Sequence, residues 1–362
     1  MTAIKKILFL SPYPVDKAPS QRLKYEQYFS VFEKAGYEVH SNSFFSEKLW
    51  SILYDNGHFF AKFILTAIAY LKRFGTLFLL RKYDLVYIHL WVTPIGMPIF
   101  EWLVSKISKQ LVYDIDDMVF LGHASKANAY IKSLKGRRKM IYLMKVSKHV
   151  ITCTPKLDEF VRQYNQNTTD ISSTVDTENR YHSKENYHKH TPIVIGWSGS
   201  HSTSKYLYLL KNVFVKLAKK YSIQLMVMGD ADFYIDGVDV TAVEWKEAIE
   251  IATLEKFDIG VYPLPDEPWV YGKSGLKAIQ YMALGIPTIA SAIGTNFRII
   301  EDGLNGFLAT NEDEWFEKLS LLIENAELRK KLGQAGRNTV VEKYSVEANK
   351  GKYLSVFNEI LE

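Results

Sequence analysis

The segment YGKSGLKAIQYMALGIPTIAS, residues 271–291, carries groups that could hold an anion. Gly272 and Gly275 form a turn ahead of an amphipathic helix expected over 273–284. The backbone N–H groups of Ser274, Gly275 and Leu276 then stand at the helix start, where unpaired donors and the helix dipole attract negative charge. Lys273 sits at the same end, an unfavourable place for a cation unless an anion accompanies it. Gln280, two turns on, offers an amide that can donate or accept. The glycine spacing is not that of a P-loop, and an ordinary turn with a surface lysine also fits the segment. A second stretch, IGWSGSHSTSKYL (195–207), repeats the theme: a strand runs into Gly199 and Ser200, a helix start follows, and Lys205 lies in its first turn. Serine and threonine there also suit a plain helix cap. Two such starts converging could hold a diphosphate.

Other candidates lie in the first half of the chain. Arg22 follows the stiff loop SPYPVDKAPS and reads either as a cation for the ligand or as a solvated side chain. Asp114 and Asp116 in YDIDD share one face at the end of a strand, with Asp117 opening the loop. Carboxylates in this pattern can hold Mg²⁺ or Mn²⁺; contact with a polyhydroxy ligand is the preferred reading. His89 ends another strand, YIHLW, where a lone histidine is more often a satisfied core residue. Asp266 and Glu267 precede the 271–275 turn and could bind sugar hydroxyls or simply keep a loop soluble. Glu301 and Asp302 belong to a turn pair, and no metal is expected at any of these sites.

The elements that must position these residues alternate strand and helix. Strands are expected at 6–12, 37–40, 84–90, 110–116 and 149–154, with helices at 20–36, 94–108, 124–146 and 155–165 and two more within 45–82. The polar, histidine-rich stretch 174–192 reads as a linker. Strands resume at 193–199, 223–230, 257–263 and 287–291, with helices at 203–219, 246–254, 312–323, 326–343 and 345–361. Such alternation predicts mostly parallel sheets wrapped by helices, and ligands of open α/β sheets bind beyond the strands' carboxyl ends. The expected organisation is a first domain over 1–175, a linker over 176–192, a second domain over 193–344 and a final helix over 345–362.

Bulk properties narrow the function classes. With 362 residues, 47% of them hydrophobic, the chain can fill two cores. The net charge of +5 is too weak to argue for nucleic acid, and suits an anionic ligand or membrane surface. Cys153 is the lone cysteine, which excludes an intrachain disulfide, fits a reducing compartment and reads as a buried small hydrophobe. The apolar run after Lys5 and Lys6 is shorter than the ~7–15 residues of a signal peptide and reads as a first strand. Residues 58–82 are broken by Lys62, Lys72 and Arg73, short of the ~18–20 apolar residues of a span. Segment 44–82 is nevertheless rich in aromatic, aliphatic and basic residues, and the balance favours an exposed apolar-basic surface that could lie on an anionic membrane.

Taken together, SGLKAIQYMALGIPTIAS, GWSGSHST, PLPDEPWVYGKSGLKAIQYMALG and DGLNGFLA resemble a retaining glycosyltransferase of family four, of the subgroup associated with bacterial surface polysaccharide assembly. The resemblance covers nearly the whole chain and is strongest over 193–344. It implies the GT-B architecture: two Rossmann-like α/β domains facing across a cleft, and a C-terminal helix crossing back to the first. It implies transfer of a hexosyl group from a nucleoside-diphosphate sugar, UDP- or GDP-linked, to a glycan or lipid-linked glycan, in the cytoplasm or at the inner face of the plasma membrane. No metal and no cofactor beyond this co-substrate are implied. Gly275 and Leu276 fall where the family's amides hold the diphosphate, with Gly199, Ser200, Lys205, Lys273 and Ser274 alongside. The family's two signature glutamates fall at Gly272 and Gln280, which places Gln280 at the ribose. Lys205 matches the family's lysine, whereas Ser200 stands where an arginine is usual. Asp114 falls where many members carry a histidine close to the sugar; with Lys205 and Lys273 it makes the expected catalytic set. Arg22, His89, Asp116 and Glu267 are the expected donor-sugar or acceptor contacts. Two rival readings are a GT-B nucleotide-sugar epimerase and a catalytically weak sugar-nucleotide-binding scaffold. A Rossmann dehydrogenase is disfavoured, because no G-x-G-x-x-G follows the first strand of either domain.

Overall fold

The computed structural model describes residues 4–53, 55, 57–118, 136–183, 187 and 191–362. The chain divides into two compact units, Met1–Ser173 with Asn349–Glu362, and Thr174–Ala348. Among the described residues each unit holds one six-stranded sheet, and all strand pairs are parallel. The parallel α/β expectation is therefore met.

In the first unit the strands are β1 (Lys5–Ser11), β2 (Tyr37–Ser43), β3 (Leu85–His89), β4 (Leu111–Asp114), β5 (His149–Thr152) and β6 (Thr168–Asp170), ordered β2-β1-β3-β4-β5-β6. The second has β7 (Ile193–Ser198), β8 (Ile223–Met228), β9 (Val240–Val243), β10 (Ile259–Tyr262), β11 (Thr288–Ser291) and β12 (Phe307–Ala309), ordered β9-β8-β7-β10-β11-β12. The strand order reverses between β1 and β3 in one sheet, and between β7 and β10 in the other. At such points the loops leaving two neighbouring strands diverge and open a crevice. Central strands are buried along their whole length, as LVYIH of β3 and IVIGWS of β7 show. Helices covering both faces require this, and it explains the unbroken apolar runs.

Several boundaries differ from the sequence expectation. The helix expected over 20–36 is split into Pro19–Arg22, a 3₁₀ turn Glu26–Tyr28 and Phe29–Lys34. The break turns Lys24 inward, where its ammonium donates to the carbonyls of Thr152 (2.9 Å) and Ile171. The helix expected over 203–219 becomes His201–Ser204, a 3₁₀ segment Lys205–Leu210 and Lys211–Lys220. Leu207, Leu210 and Val213 are buried at a spacing of three, which suits the 3₁₀ repeat. Strands β6, β9 and β12 were not anticipated; they are three or four residues long and lie at or next to sheet edges. Of the helix expected over 124–146, Arg137–Val146 is described and 124–135 lies outside the described residues.

The stretch read as a linker is less solvated than its composition suggests. Thr177 and Tyr181 are buried, and Arg337 donates to both their carbonyls. Tyr187 donates to the carbonyl of Gly285 at 2.8 Å. Residues 184–186 and 188–190 lie outside the described residues.

The helix Leu276–Ala283 is fixed from behind by Ala326–Lys343. Gly333 allows this approach, since a Cβ there would stand 2.0 Å from the Gly285 carbonyl oxygen. In an exposed helix Gly→Ala would gain up to about 1 kcal/mol. Gly333→Ala should instead destabilise the protein by roughly 1–3 kcal/mol, through overpacking, read as a lower unfolding temperature.

Candidate functional site

The strongest constellation lies at the β7/β10 reversal of the second unit. Leu276–Ala283 follows β10 through a 3₁₀ turn, Pro268–Gly272. Its sequence LKAIQYMA holds good helix formers and buries Ala278 through Ala283. It ends on paired bonds, from the Gly285 N–H to the Met282 carbonyl and from the Ile286 N–H to the Tyr281 carbonyl. At the other end Gly275 is the N-cap with φ 72°, and as a glycine it offers no side chain to the first-turn N–H groups. A Cβ at Gly275 would lie 2.3 Å from Ile299, so only glycine fits both the dihedral and the space.

A residue not singled out from the sequence completes this start. Lys277, half-buried in the first turn, holds its Nζ 4.8 Å from the Trp197 ring centre and 5.4 Å from that of Tyr262. Trp197 belongs to β7 and Tyr262 ends β10, so the ammonium sits at the reversal point, between the two strands that define it. Gly199 lies alongside; a Cβ there would be 3.0 Å from the Lys277 Cε and 2.3 Å from the Trp197 ring. Among the described residues no carboxylate pairs with Lys277. Burial first, and the charge of Lys273 second, push its pKa down to about 7. The dipole reasoning applied to Lys273 would have found Lys277 too, since it is a cation in the first turn.

Lys273 stands in extended backbone before the helix, its Nζ 4.8 Å from the Trp269 ring centre. Trp269 packs 5.8 Å from Tyr206, and the Tyr206 ring lies 5.3 Å from the Nζ of exposed Lys205. Glu267 accepts from the Trp269 indole N–H. The loops after β7 and β10 thus bring Lys205, Lys273 and Glu267 to one aromatic cluster. Ser200 is engaged locally: its hydroxyl and backbone N–H form a capping box with Thr203. Ser274 and Leu276 are half-buried at the helix start.

Gln280 is buried one turn deeper. Its amide donates to the Tyr181 hydroxyl at 2.8 Å and to Glu250 at 3.3 Å. Glu250 also accepts from the Trp245 indole at 3.1 Å and lies 3.9 Å from Arg180. A carboxylate therefore reaches Gln280 from a neighbouring helix, Glu247–Leu254. Sequence reasoning missed Tyr181 and Glu250, because nothing in their local motifs marks them.

In the first unit the expected contacts collect at the carboxyl ends of β3 and β4. His89 and Asp114 face each other in register, with His89 Nδ1 2.8 Å from Asp114 Oδ2. Lys24 Nζ lies 3.5 Å from Asp114 Oδ1, and all three side chains are fully buried. Asp114, expected in the catalytic set, and His89, expected as a donor-sugar or acceptor contact, are thus buried, with Lys24 turned inward as the counter-ion of Asp114. Arg22 is also buried. Asp116, half-buried beside the pair, is pushed up by burial. Cys153 is buried, and burial pushes its thiol up as well. Among the described residues, no three His, Cys, Asp or Glu gather as a set that could hold a metal ion.

Comparison with known proteins places this geometry. Residues 192–325 match the family described as "Glycosyl transferases group 1". The structure superposes on sucrose-phosphate synthase from Thermosynechococcus elongatus with a TM-score of 0.67, at 16% identity over 98% of this chain and 99% of that one. It superposes on Anabaena HepE in complex with UDP with a TM-score of 0.63, at 16% identity over 98% and 100%. The fold is GT-B. In sequence, 193 residues are 24% identical to the capsular polysaccharide biosynthesis glycosyltransferase CapM of Staphylococcus aureus, covering 49% of this chain and 50% of that protein. The chain spans half or less of the length of the curated relatives it matches.

The buried pair gives a stability prediction. Removing one partner of such a pair strands the other charge, so Asp114→Asn should cost about 3–5 kcal/mol, while Asp114→Asn with Lys24→Met should recover most of it. Burial alone would raise the Asp114 pKa, but Lys24 and His89 outweigh it and hold the group low. Its contribution is complete above the unfolded carboxylate range and is lost as pH falls through the folded value. Burial alone would lower His89, but Asp114 outweighs it and raises the group. That contribution is complete below about 6.5 and fades as pH rises through the folded value. The melting-temperature gap between wild type and His89→Gln should therefore be wider at mildly acidic than at alkaline pH.

Proposed function

We propose that the protein is a retaining hexosyltransferase. It takes a nucleoside-diphosphate sugar on its second unit and passes the sugar to a glycan or lipid-linked glycan acceptor in surface polysaccharide synthesis. The observation that carries this reading is the start of Leu276–Ala283 at the β7/β10 reversal, where the N-cap is a glycine and Lys277 is held beside it with no carboxylate among the described residues. A diphosphate supplies the missing negative charge. The amides of Gly275 and Leu276, with Ser274 and Gly199, would bind its oxygens. Lys205, Lys273 and Lys277 would stabilise the charge that builds on the leaving diphosphate, which preorganised donors and cations can do without a metal. Gln280 and Glu250 would serve the ribose end, and Glu267 the sugar.

Names among the relatives support the assignment: a polysaccharide-assembly glycosyltransferase matches in sequence, and HepE, with the same fold, was solved with UDP. UDP is thus the favoured nucleotide, and the cytoplasm, where nucleotide sugars are made, the favoured compartment. Asp114 and His89 enter only as the framework of the first unit.

Thermal unfolding against UDP, GDP, CDP and ADP tests the donor. UDP should raise the melting temperature, since a ligand at a hundredfold its Kd adds about 2.7 kcal/mol. Lys277→Met should weaken binding roughly 10–100-fold, the worth of a charge-assisted hydrogen bond of about 1.5–3 kcal/mol, and Lys277→Arg should retain most of it. No shift with any nucleotide overturns the reading. Interconversion of free nucleotide sugar without an acceptor would replace transfer by epimerisation.

A further inference from the structure

The helix Phe59–Leu77 is amphipathic in the wrong sense for a surface helix of a water-soluble unit. Its buried stripe carries Ala69, Arg73, Thr76 and Leu77. Arg73 donates from that stripe to the side chain of Asn42 at 2.8 Å and to the Ser11 carbonyl at 3.3 Å. The opposite stripe is apolar and open: Phe59, Phe60, Phe63, Leu71 and the following Phe78 are each 71–81% exposed. With Ile64, Ala67 and Phe74 also exposed, positions 60, 64, 67, 71, 74 and 78 recur at three- and four-residue spacing, so it is one continuous face. A guanidinium is hidden while five large apolar side chains face outward. A second group adjoins it. The Tyr70 hydroxyl bonds both the carbonyl (2.8 Å) and the N–H (3.2 Å) of Ile95, and its ring meets Phe100 at 5.8 Å. This ties the helix to the loop and helix start where Ile95, Met97, Ile99 and Trp102 are about half exposed or more.

We propose that this face docks on an anionic lipid bilayer, lying in the interface without crossing it. Apolar patches of this extent on a protein surface mark a partner, and the charges select which. Residues 57–83 contain no Asp or Glu, whereas Lys72, Arg81 and Lys82 are exposed on or beside the apolar face. A second copy of the chain, meeting the same face about a two-fold axis, would set these cations against each other. A negatively charged headgroup layer pairs with them while acyl chains take the phenylalanines. Among the described residues no helix is long and apolar enough to cross a membrane, consistent with in-plane binding. The proposal rests on the first unit's surface alone and is independent of the transfer reading.

Sedimentation of the full chain with vesicles tests it, using phosphatidylcholine alone and phosphatidylcholine mixed with phosphatidylglycerol. The protein should pellet with the mixed vesicles and far less with the neutral ones. Phe60→Ser/Phe63→Ser/Phe78→Ser should abolish pelleting, with its melting temperature and circular dichroism unchanged. Lys72→Glu/Arg81→Glu/Lys82→Glu should weaken binding at least about fivefold per residue at low salt. Wild-type protein remaining in the supernatant with both vesicles overturns the proposal. Equal binding to both removes the anionic partner. Self-association dispersed by the phenylalanine variant, without vesicle binding, assigns the face to a second copy instead.

Discussion

An ammonium group taken partly out of water and given no carboxylate is costly, and the second unit pays that cost at one place. Lys277 lies between Trp197 and Tyr262, where the rings offer their faces but no formal charge. Much of the local structure follows from accommodating it. Gly199 leaves room for its methylenes, and Gly275 starts its helix without a capping side chain. Ala326–Lys343 braces that helix from behind through Gly333. The strand reversal between β7 and β10 puts the ammonium where diverging loops leave space. Burial and the nearby Lys273 disfavour its charged form, so an incoming anion has a cation to restore.

The first unit handles a buried lysine in the opposite way. Lys24 is given Asp114, two backbone carbonyls and, through Asp114, a histidine. All three side chains are closed off from solvent. The two lysines differ in burial and in compensation: Lys24 is fully buried and satisfied within the fold, while half-buried Lys277 lacks a counter-charge among the described residues. That contrast distinguishes the two lysines more sharply than residue type does.

The alternation of apolar runs and helical patterns made the parallel α/β sheets legible, because parallel strands buried on both faces read as unbroken apolar segments, whereas the GT-B architecture was implied by the family resemblance. The short strands β6, β9 and β12 escaped, since TTD, VTAV and FLA are too brief or too polar to form such a run. The helix start at 275–276 and Lys273 were legible from glycine spacing and a misplaced cation. Lys277 was equally misplaced, but its aromatic neighbours come from two other strands and only folding brings them together. The burial of Asp114 and Arg22 was illegible for a related reason. It depends on the chain break after Arg22 that turns Lys24 inward, and the local sequence looks like one continuous helix. Gln280 stands out within its motif, whereas its partners Tyr181 and Glu250 lie 99 and 30 residues away.

Lys277 itself offers the most direct measurement: an NMR titration of ¹³Cε-labelled lysines in the free protein and with UDP. One lysine resonance, absent from Lys277→Met, should titrate near pH 7 in the free protein. Saturating UDP should move that midpoint upward, because a bound diphosphate favours the charged form. A Lys277 resonance that titrates at the ordinary lysine value, or a midpoint that UDP leaves in place, would contradict the assignment of this helix start as the donor site.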